Sequence, residues 1–305
     1  MEKKHTIHRA SVLFVVFLGM ISGATASLFI RYGTAPMLVL AAYRKTIVTV
    51  MLLPMVLLHH RDEWKKLKLH TVLWCVLAGI FLAIHFFTYF MSVKYTTIAA
   101  SNVLAGTEIL FVSVFMFAAG KETFNRMNWL SIAIALIGGI VVSMTGSNDA
   151  ALNGPLGNIC GVICAVALAG YSLVGSKVRQ ANLSNTLFTF IAYGASAIVL
   201  DGMVICSGYS LFGYDPINYL VAIGMAVFCS LLSHSLYTWS LKYISPTLLA
   251  IFKILSPVPT ALLGFLVLSE IPSWNQIIGG IVVILGIMLY IRSKNPEAET
   301  PREHT

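Results

Sequence analysis

Ten long apolar stretches constrain the fold of this chain more than any other feature. Each has about 20 residues, the length that an α-helix needs to cross roughly 30 Å of hydrocarbon. They lie at about 10–30, 36–58, 70–92, 97–119, 128–146, 155–175, 185–206, 217–240, 246–268 and 273–292. The short connections leave no room for a soluble domain, and only 10% of the 305 residues are charged. The sequence therefore predicts an all-α membrane protein with ten transmembrane helices.

The first apolar stretch has some features of a secretory leader. Lys3, Lys4 and Arg9 precede it, and Ala24-Thr25-Ala26 resembles a signal-peptidase site. The apolar run continues past that site to Ile30. We therefore expect a retained first helix.

The two halves of the chain are versions of one pattern, offset by a constant 148 positions. The identical pairs are Ala78/Ala226, Tyr89/Tyr237, Ser92/Ser240, Lys94/Lys242, Tyr95/Tyr243, Phe117/Phe265, Glu122/Glu270 and Gly138/Gly286. Because each half holds five spans, an odd number, the second half must enter the membrane from the opposite side. We expect a first five-helix repeat over 1–146, an inverted second repeat over 155–293, and a disordered cytoplasmic tail over 294–305.

The basic residues are distributed unequally between the two sides of the predicted membrane. With the N-terminus in the cytoplasm, 15 Lys and Arg residues lie in cytoplasmic segments, and only Arg31 and Lys94 lie on the opposite side. This asymmetry follows the positive-inside rule. It predicts a multi-pass protein of the plasma membrane or bacterial inner membrane with both termini cytoplasmic. The cations do not form a stripe with aromatic platforms, so we expect no nucleic-acid partner.

Five ionisable residues interrupt the apolar spans. Arg44 and Lys45 lie in the second, Glu108 in the fourth, Asp201 in the seventh and Lys253 in the ninth. An unpaired charge at a helix centre costs about 2.5–3.5 kcal/mol on insertion scales. Asp201 lies near its helix end and is expected to reach the interface. The other four must face a wet cavity, pair with one another, or both.

The repeat places Lys253 and Glu108 on equivalent helices. Lys253 corresponds to position 105, three residues before Glu108, and side chains three apart share a helix face. Ser256 continues the polar stripe of the ninth span. Two roles stay open: these groups line a substrate site, or Glu108 forms a structural ion pair with Lys253 or Arg44.

Tyrosines mark equivalent polar stripes on the third and eighth spans. Tyr89 follows His85 by one helical turn, and Tyr237 lies between serines one turn to either side. Such a stripe either lines a cavity or forms hydrogen bonds between helices. His85 is either a proton carrier or a fixed hydrogen-bonding group, and Asn102 has the same two alternatives as the stripes. His234 lies about 100° away from its stripe on an ideal helix and is a weaker candidate.

Charged residues at the span ends are candidates for structural or gating roles. Glu122 and Glu270 end the fourth and ninth spans, where each can cap the next helix or pair with a cation. Lys94 and Lys242, of the repeated Lys-Tyr pair, belong to the same group.

Motifs of enzyme chemistry are absent from the sequence. We find no Gly-rich phosphate loop, Ser-His-Asp set or H-E-x-x-H pattern. The five cysteines all fall inside spans, and no His or Cys set completes a zinc site. We expect packing cysteines, no catalytic residues, no metal, no cofactor, and a protein that is not an enzyme.

Several segments resemble a known family of carriers. They are Ala41-Ala42-Tyr43-Arg44, the glutamates that end the fourth and ninth spans, and the run from Ser256-Pro257-Val258-Pro259-Thr260 through Leu268-Ser269-Glu270-Ile271-Pro272-Ser273 to Gly279-Gly280. With ten spans and an inverted repeat, they are similar to the drug/metabolite transporter (DMT) superfamily, closest to its EamA-type branch. That branch has a Pro where this chain reads Thr107-Glu108, which suggests a substrate-specific role for Glu108.

The resemblance and the embedded charges together predict an alternating-access carrier. The expected substrate is an amino acid or related zwitterion, with Lys253 and Arg44 on its carboxylate, Glu108 on its amine, and Tyr89 and Tyr237 on its apolar part. Export is implied by the resemblance alone. The alternatives are a phosphate-bearing or nucleotide-linked substrate, and a non-transporting scaffold or receptor. The expected partners are the small-molecule substrate and membrane lipid, and a homodimer is left open.

Overall fold

The computed structural model describes residues 9–120, 125–143, 154–181, 183–244, 246, 249, 253, 257–269 and 271–293. Within these ranges the chain is helical and contains no strand. The elements in chain order are α1 (Arg9–Ala24), α2 (Ala26–Tyr32), α3 (Met37–His59), α4 (Arg61–Lys65), α5 (Leu69–Tyr95), α6 (Ile98–Gly106), α7 (Glu108–Ala118), α8 (Arg126–Ser143), α9 (Gly154–Gln180), α10 (Asn185–Cys206), α11 (Pro216–Gly224), a π-helical segment (Met225–His234), α12 (Ser235–Ser240), α13 (Pro257–Leu268) and α14 (Trp274–Ser293).

Seven helices of the described chain are long and apolar enough to cross a membrane. They are Ser11–Tyr32, Met37–His59, Leu69–Tyr95, Ala100–Ala118, Gly154–Gln180, Asn185–Cys206 and Pro216–Ser240. Arg126–Val141 and Ile277–Tyr290 are shorter apolar helices. The predicted ninth span falls partly outside the described residues, and its described part is α13. The protein is thus a helical multi-pass membrane protein, and the count of ten spans stays a prediction.

Threonine side chains mark two interruptions of the long helices. Thr25 separates α1 from α2, and its Oγ1 donates to the carbonyl oxygen of Ser22 at 2.8 Å. Thr107 separates α6 from α7, and its Oγ1 donates to the carbonyl oxygen of Leu104 at 2.6 Å. Such bonds from Thr to its own helix compete with the backbone ladder and bend helices. The second break places Glu108 in the first turn of α7.

The π-helical segment Met225–His234 is a third irregularity. The carbonyl oxygen of Ser230 accepts hydrogen bonds from Tyr193 Oη and Ser235 Oγ, both at 3.2 Å. These side-chain donors support the wider turn, in which backbone bonds run to the fifth residue instead of the fourth. Because the turn is wider, the side chains that follow point in directions different from those of an ideal α-helix. Such segments occur often at functional sites.

Small residues allow the closest helix contacts. On α9, a Cβ added to Gly170 would lie 2.8 Å from the ring of Phe81 on α5. On α8, a Cβ added to Gly138 would lie 2.6 Å from the backbone nitrogen of Val283 on α14. Without a side chain at these positions, the helices approach until backbone meets side chain or backbone.

Two of the residue pairs related by the 148-position offset have equal burial. Ser92 and Ser240 are both 0% exposed, and Tyr89 and Tyr237 are both 8% exposed. The largest apolar core lies among α3, α5, α9 and α10, beside these residues. Equal surroundings at paired positions are what a structural repeat predicts.

Candidate functional site

A polar cavity of about 100 Å³ lies between helices of the two repeats. Its polar and sulfur-bearing lining residues are Met20, Arg44, His85, Tyr89, Asn102, Cys229, Ser233, His234, Tyr237, Lys253 and Thr260. About 10–15 Å³ is enough for one water, so the cavity has room for several waters or a small solute. Six of the eight residues predicted to bind substrate line this cavity.

Arg44 brings a buried cation to the cavity wall. It is 1% exposed, and its Nε donates to Ser230 Oγ at 2.9 Å. Its guanidinium carbon lies 4.1 Å from the centroid of the Phe86 ring. No carboxylate of the described chain lies within 4.0 Å of its nitrogens. An Arg held in this way keeps guanidinium donors for an anionic ligand in the cavity.

Lys253 and Glu108 form an ion pair between the repeats. The Lys253 Nζ donates to Glu108 Oε2, and Ser172 Oγ on α9 donates to Glu108 Oε1 at 2.7 Å. The side chain of Glu108 is 3% exposed and that of Lys253 13%. Of the two pairings left open by the sequence, the one with Lys253 is present. Both carboxylate oxygens are occupied, and Glu108 itself does not line the cavity.

Four rings form an aromatic wall. The rings of His85 and Tyr89 are nearly parallel with centroids 6.1 Å apart, and His234 lies 5.8 Å from His85 and 6.1 Å from Tyr237. His85 Nδ1 lies 3.1 Å from the Sγ and 3.3 Å from the carbonyl oxygen of Cys164. These contacts fix the orientation of the His85 ring.

Asn102 fulfils both alternatives left open by the sequence. It lines the cavity, and its Oδ1 accepts a 3.3 Å hydrogen bond from Tyr89 Oη on the neighbouring α5. Its Nδ2 donates to the carbonyl oxygen of Ile98 at 2.8 Å. The amide therefore links two helices while it faces the cavity.

Lys45 differs from the expectation that it faces a cavity or pairs with an acid. It is 0% exposed, does not line the cavity, and its Nζ has no hydrogen-bond partner in the described part of the chain. Instead, its Nζ lies 3.9 Å from the ring centroids of both Phe86 and Tyr193. The electron-rich faces of aromatic rings attract a cation, which supplies the interaction that a carboxylate would otherwise provide.

His234 lines the cavity although the sequence made it the weaker histidine. The expectation assumed ideal α-helical turns, whereas His234 ends the π-helical segment. Sequence analysis also missed Ser172 and Ser230, which hold the charged groups Glu108 and Arg44. Cys164, interpreted as a packing residue, contacts His85. Hydropathy patterns carry no signal for these partners, because small polar residues are common in membrane helices.

Of the residues assigned to structural or gating roles, the two that the structure describes do not line the cavity. Lys94 and Lys242 are exposed, and neither lines it. In the described ranges, no group of three or more His, Cys, Asp and Glu side chains could hold a metal ion. Three further candidates lie outside the described residues: Ser256, Glu122 and Glu270.

Comparison with known proteins adds to this geometry. The EamA-like transporter family matches the chain twice, over residues 10–144 and 156–292. An uncharacterized transporter of Archaeoglobus fulgidus is 24% identical over 230 residues, which cover 75% of this chain and 76% of that protein. A WAT1-related protein of Arabidopsis thaliana is 23% identical over 319 residues, with 94% and 84% covered.

Two further similarities are more limited. The inner membrane transporter YedA of Escherichia coli is 28% identical over 169 residues, which cover 53% of this chain and 51% of YedA. One solved crystal structure superposes with a TM-score of 0.64 at 20% identity, covering 92% of this chain and 96% of the other, and it shows the fold alone. The two family matches together span most of the sequence, and the relatives from Archaeoglobus fulgidus and Escherichia coli are named transporters. The chain therefore belongs to the EamA-like transporter family of the DMT superfamily.

Proposed function

We propose that this transporter is an alternating-access secondary carrier that exports a small polar metabolite. Ten spans in two inverted five-helix repeats, with both termini cytoplasmic, would enclose its site near the middle of the bilayer. The observation that supports this function is a polar cavity between the repeats, lined by Arg44 and Lys253. Charge is costly at membrane depth, so two cations on one cavity mark a ligand site. The direction rests on resemblance to the family.

An amino acid or related zwitterion is the proposed substrate. Arg44 and Lys253 suit its carboxylate, while Tyr89, Tyr237 and the amide of Asn102 line the rest of the cavity. Both oxygens of Glu108 are occupied in the empty site. A substrate amine therefore reaches Glu108 only when Lys253 turns from Glu108 to the substrate.

A phosphate-bearing substrate is the second candidate. It is favoured by the same occupancy of Glu108, which leaves Arg44 and Lys253 as the charged side chains that line the cavity. A phosphate group takes several charge-assisted hydrogen bonds from such cations.

Exchange in liposomes tests both candidates. Purified protein is reconstituted, and counterflow of labelled amino acids, inorganic phosphate and glucose 6-phosphate is measured beside melting temperature in detergent. We expect amino acids to exchange and to raise the melting temperature, because a ligand that binds only the folded state stabilises it. Exchange of the phosphates alone selects the second candidate. If no probe exchanges or shifts melting, the carrier function is contradicted and the scaffold or receptor alternative holds.

Removal of the Lys253 cation should abolish exchange. The single change Lys253→Ala leaves Glu108 buried and unpaired, which costs about 3–5 kcal/mol of stability. The double variant Lys253→Met with Glu108→Gln removes both charges at similar volume and should fold normally while exchange falls by about 100-fold or more, the loss expected for about 3 kcal/mol of ligand binding. Lys66→Ala, at an exposed lysine that lies between two spans, is the matched control. Unchanged exchange by the double variant would exclude Lys253 from the site.

A further inference from the structure

The Glu108–Lys253 pair has the same charged groups as an amino acid. It holds one carboxylate and one ammonium, which come from different repeats and meet beside the cavity. We propose that this pair occupies the empty site in place of substrate, and that a zwitterion is transported by inserting between the two groups without net proton uptake. The inference rests on the proposed carrier function and deepens it by naming the basis on which substrates are selected.

In the empty site, the Glu108–Lys253 pair is electrostatically complete. Lys253 Nζ satisfies one oxygen of Glu108, and Ser172 Oγ satisfies the other at 2.7 Å. Neither charge of the pair is left without an opposite partner. The pair in this state needs no proton or metal ion to neutralise it.

A zwitterion can replace the pair without a change in protonation. Its carboxylate pairs with Lys253, which already lines the cavity, and Arg44 is a second cation beside the same space. Its ammonium pairs with Glu108 Oε2, the oxygen to which Lys253 no longer donates. Each charge loses one opposite partner and gains another, so the number of bound protons is unchanged. Arg44 fixes the direction of insertion, because it attracts the carboxylate end and repels the ammonium end.

A monoanion that takes Lys253 away from Glu108 cannot complete this exchange. When its carboxylate takes Lys253, Glu108 Oε2 is left buried with no cation. A solvent proton must then bind that oxygen, and the Glu108 carboxylate becomes a neutral carboxylic acid. Binding of a monoanion therefore weakens as pH rises, whereas binding of a zwitterion does not, because only the first reaction takes up a proton.

Other titratable groups around the pair could also give a pH dependence. Lys253 faces Glu108 directly, and Cys164 on α9 lies close enough to interact with its charge. The cavity beyond Lys253 is bounded by Arg44, His85, Tyr89, His234 and Tyr237. A test must therefore separate protonation of Glu108 from protonation of the histidines.

Matched probes separate the two reactions. L-alanine and propionate differ only by the amine, as do L-phenylalanine and 3-phenylpropionate. Affinity is measured by isothermal titration on the purified full-length protein at several values between about pH 6 and about pH 8, where the amino acids stay zwitterionic, in two buffers of different ionisation enthalpy. We expect no proton uptake with an amino acid, about one proton per bound deaminated acid, and an affinity for the deaminated acid that falls about tenfold per pH unit.

The variant Glu108→Gln tests whether Glu108 binds the proton that is taken up with the deaminated acid. Glutamine keeps the acceptor for Ser172 and has the charge of a protonated glutamate. It should remove the pH dependence of propionate binding and weaken L-alanine at least about tenfold relative to propionate, since the ammonium loses its carboxylate. Asp201→Asn is the control, because Asp201 accepts a hydrogen bond from Thr46 at 2.9 Å and does not line the cavity. Its binding should match that of the unmodified protein.

The unfavourable results distinguish failure of the pair-exchange inference from failure of the carrier function. Proton uptake on L-alanine or L-phenylalanine binding, or an unchanged pH slope in Glu108→Gln, overturns the pair-exchange inference and leaves the carrier function standing. Binding of inorganic phosphate without either amino acid also overturns it, in favour of the second substrate class. If none of these probes binds or exchanges in liposomes, the carrier function itself fails, and the inference fails with it.

Discussion

Arg44 and Lys45 are neighbours on α3, but the structure stabilises their charges by different means. Arg44 lines the cavity and donates to a serine hydroxyl, whereas Lys45 does not line the cavity and its Nζ lies over the rings of Phe86 and Tyr193. Successive residues of a helix point about 100° apart, so adjacent cations reach different surroundings. Phe86 contacts both, with Arg44 and Lys45 at 4.1 and 3.9 Å from its centroid. At the scale of single residues, local position rather than charge decides which cation can meet a ligand.

Replacement of Lys45 by methionine should stabilise the protein. Methionine has a similar length and needs no charge partner, while buried charges replaced by apolar residues of similar volume often gain about 1–4 kcal/mol. Thermal unfolding in detergent measures the effect, with the exposed Lys65→Met as a control that should change stability by less than about 0.5 kcal/mol. A lower melting temperature for Lys45→Met would show that the two ring contacts outweigh the desolvation of the ammonium.

At the scale of helices, the close packing of α8 against α14 requires glycine at the contact positions. A Cβ on Gly138 would lie 2.6 Å from Val283 N, and one on Gly286 would lie 2.7 Å from Ala135 N. Both obstacles are backbone atoms, which cannot rotate away. The neighbouring Gly139 differs, because a Cβ there would lie 3.8 Å from Leu104 Cδ2, an ordinary contact.

Gly138→Ala and Gly139→Ala should therefore have opposite effects. The first forces two helices apart, and overpacking of this kind costs about 1–3 kcal/mol. The second fills available space and restricts the unfolded chain, with a gain of up to about 1 kcal/mol. Comparison of the two unfolding curves checks this, and equal destabilisation by both would contradict the backbone contact.

A second element contact lies outside the membrane spans, between α4 and the start of α10. Glu63 Oε1 accepts from the backbone nitrogen of Ser184 at 2.6 Å, and Oε2 lies 3.1 Å from His60 Nδ1. Partial burial alone would raise the pKa of Glu63, but the hydrogen bonds from Ser184 and His60 outweigh it and hold the pKa below its ordinary value of 4.5. The ionised form is thus favoured in the folded protein.

This contact should make stability depend on acid pH. Because folding lowers the pKa of Glu63, its contribution is present above pH 4.5 and is lost as pH falls through the lower folded value. Glu63→Gln should cost about 1 kcal/mol at neutral pH, and the difference should shrink below that pH. Unfolding at a series of pH values measures it, with Asp62→Asn, at an exposed neighbour, as the control. A difference that is independent of pH would refute the role of the charge.

At the scale of the whole molecule, hydropathy and charge were sufficient to predict a helical membrane protein with a repeat and a polar site. Arg44, Lys253 and the Tyr89/Tyr237 pair line one cavity because ionisable and polar stripes are excluded from lipid. The position of His234 could not be predicted, since it depends on a π-helical turn that tertiary hydrogen bonds support. The partners of the Glu108 carboxylate likewise depend on tertiary packing, which brings Ser172 and Lys253 to its two oxygens.

The glycine contact between α8 and α14 has a consequence for motion. These are the last described helices of the two repeats, and none of their described residues lines the cavity. Backbone touches backbone there, so the helices cannot be pressed closer, and separating them would forfeit the contact. In the proposed alternating-access carrier, one repeat would rotate against the other about this junction, because the contact can neither close further nor open without loss. A small rotation about such a pivot produces a larger displacement at positions farther from it.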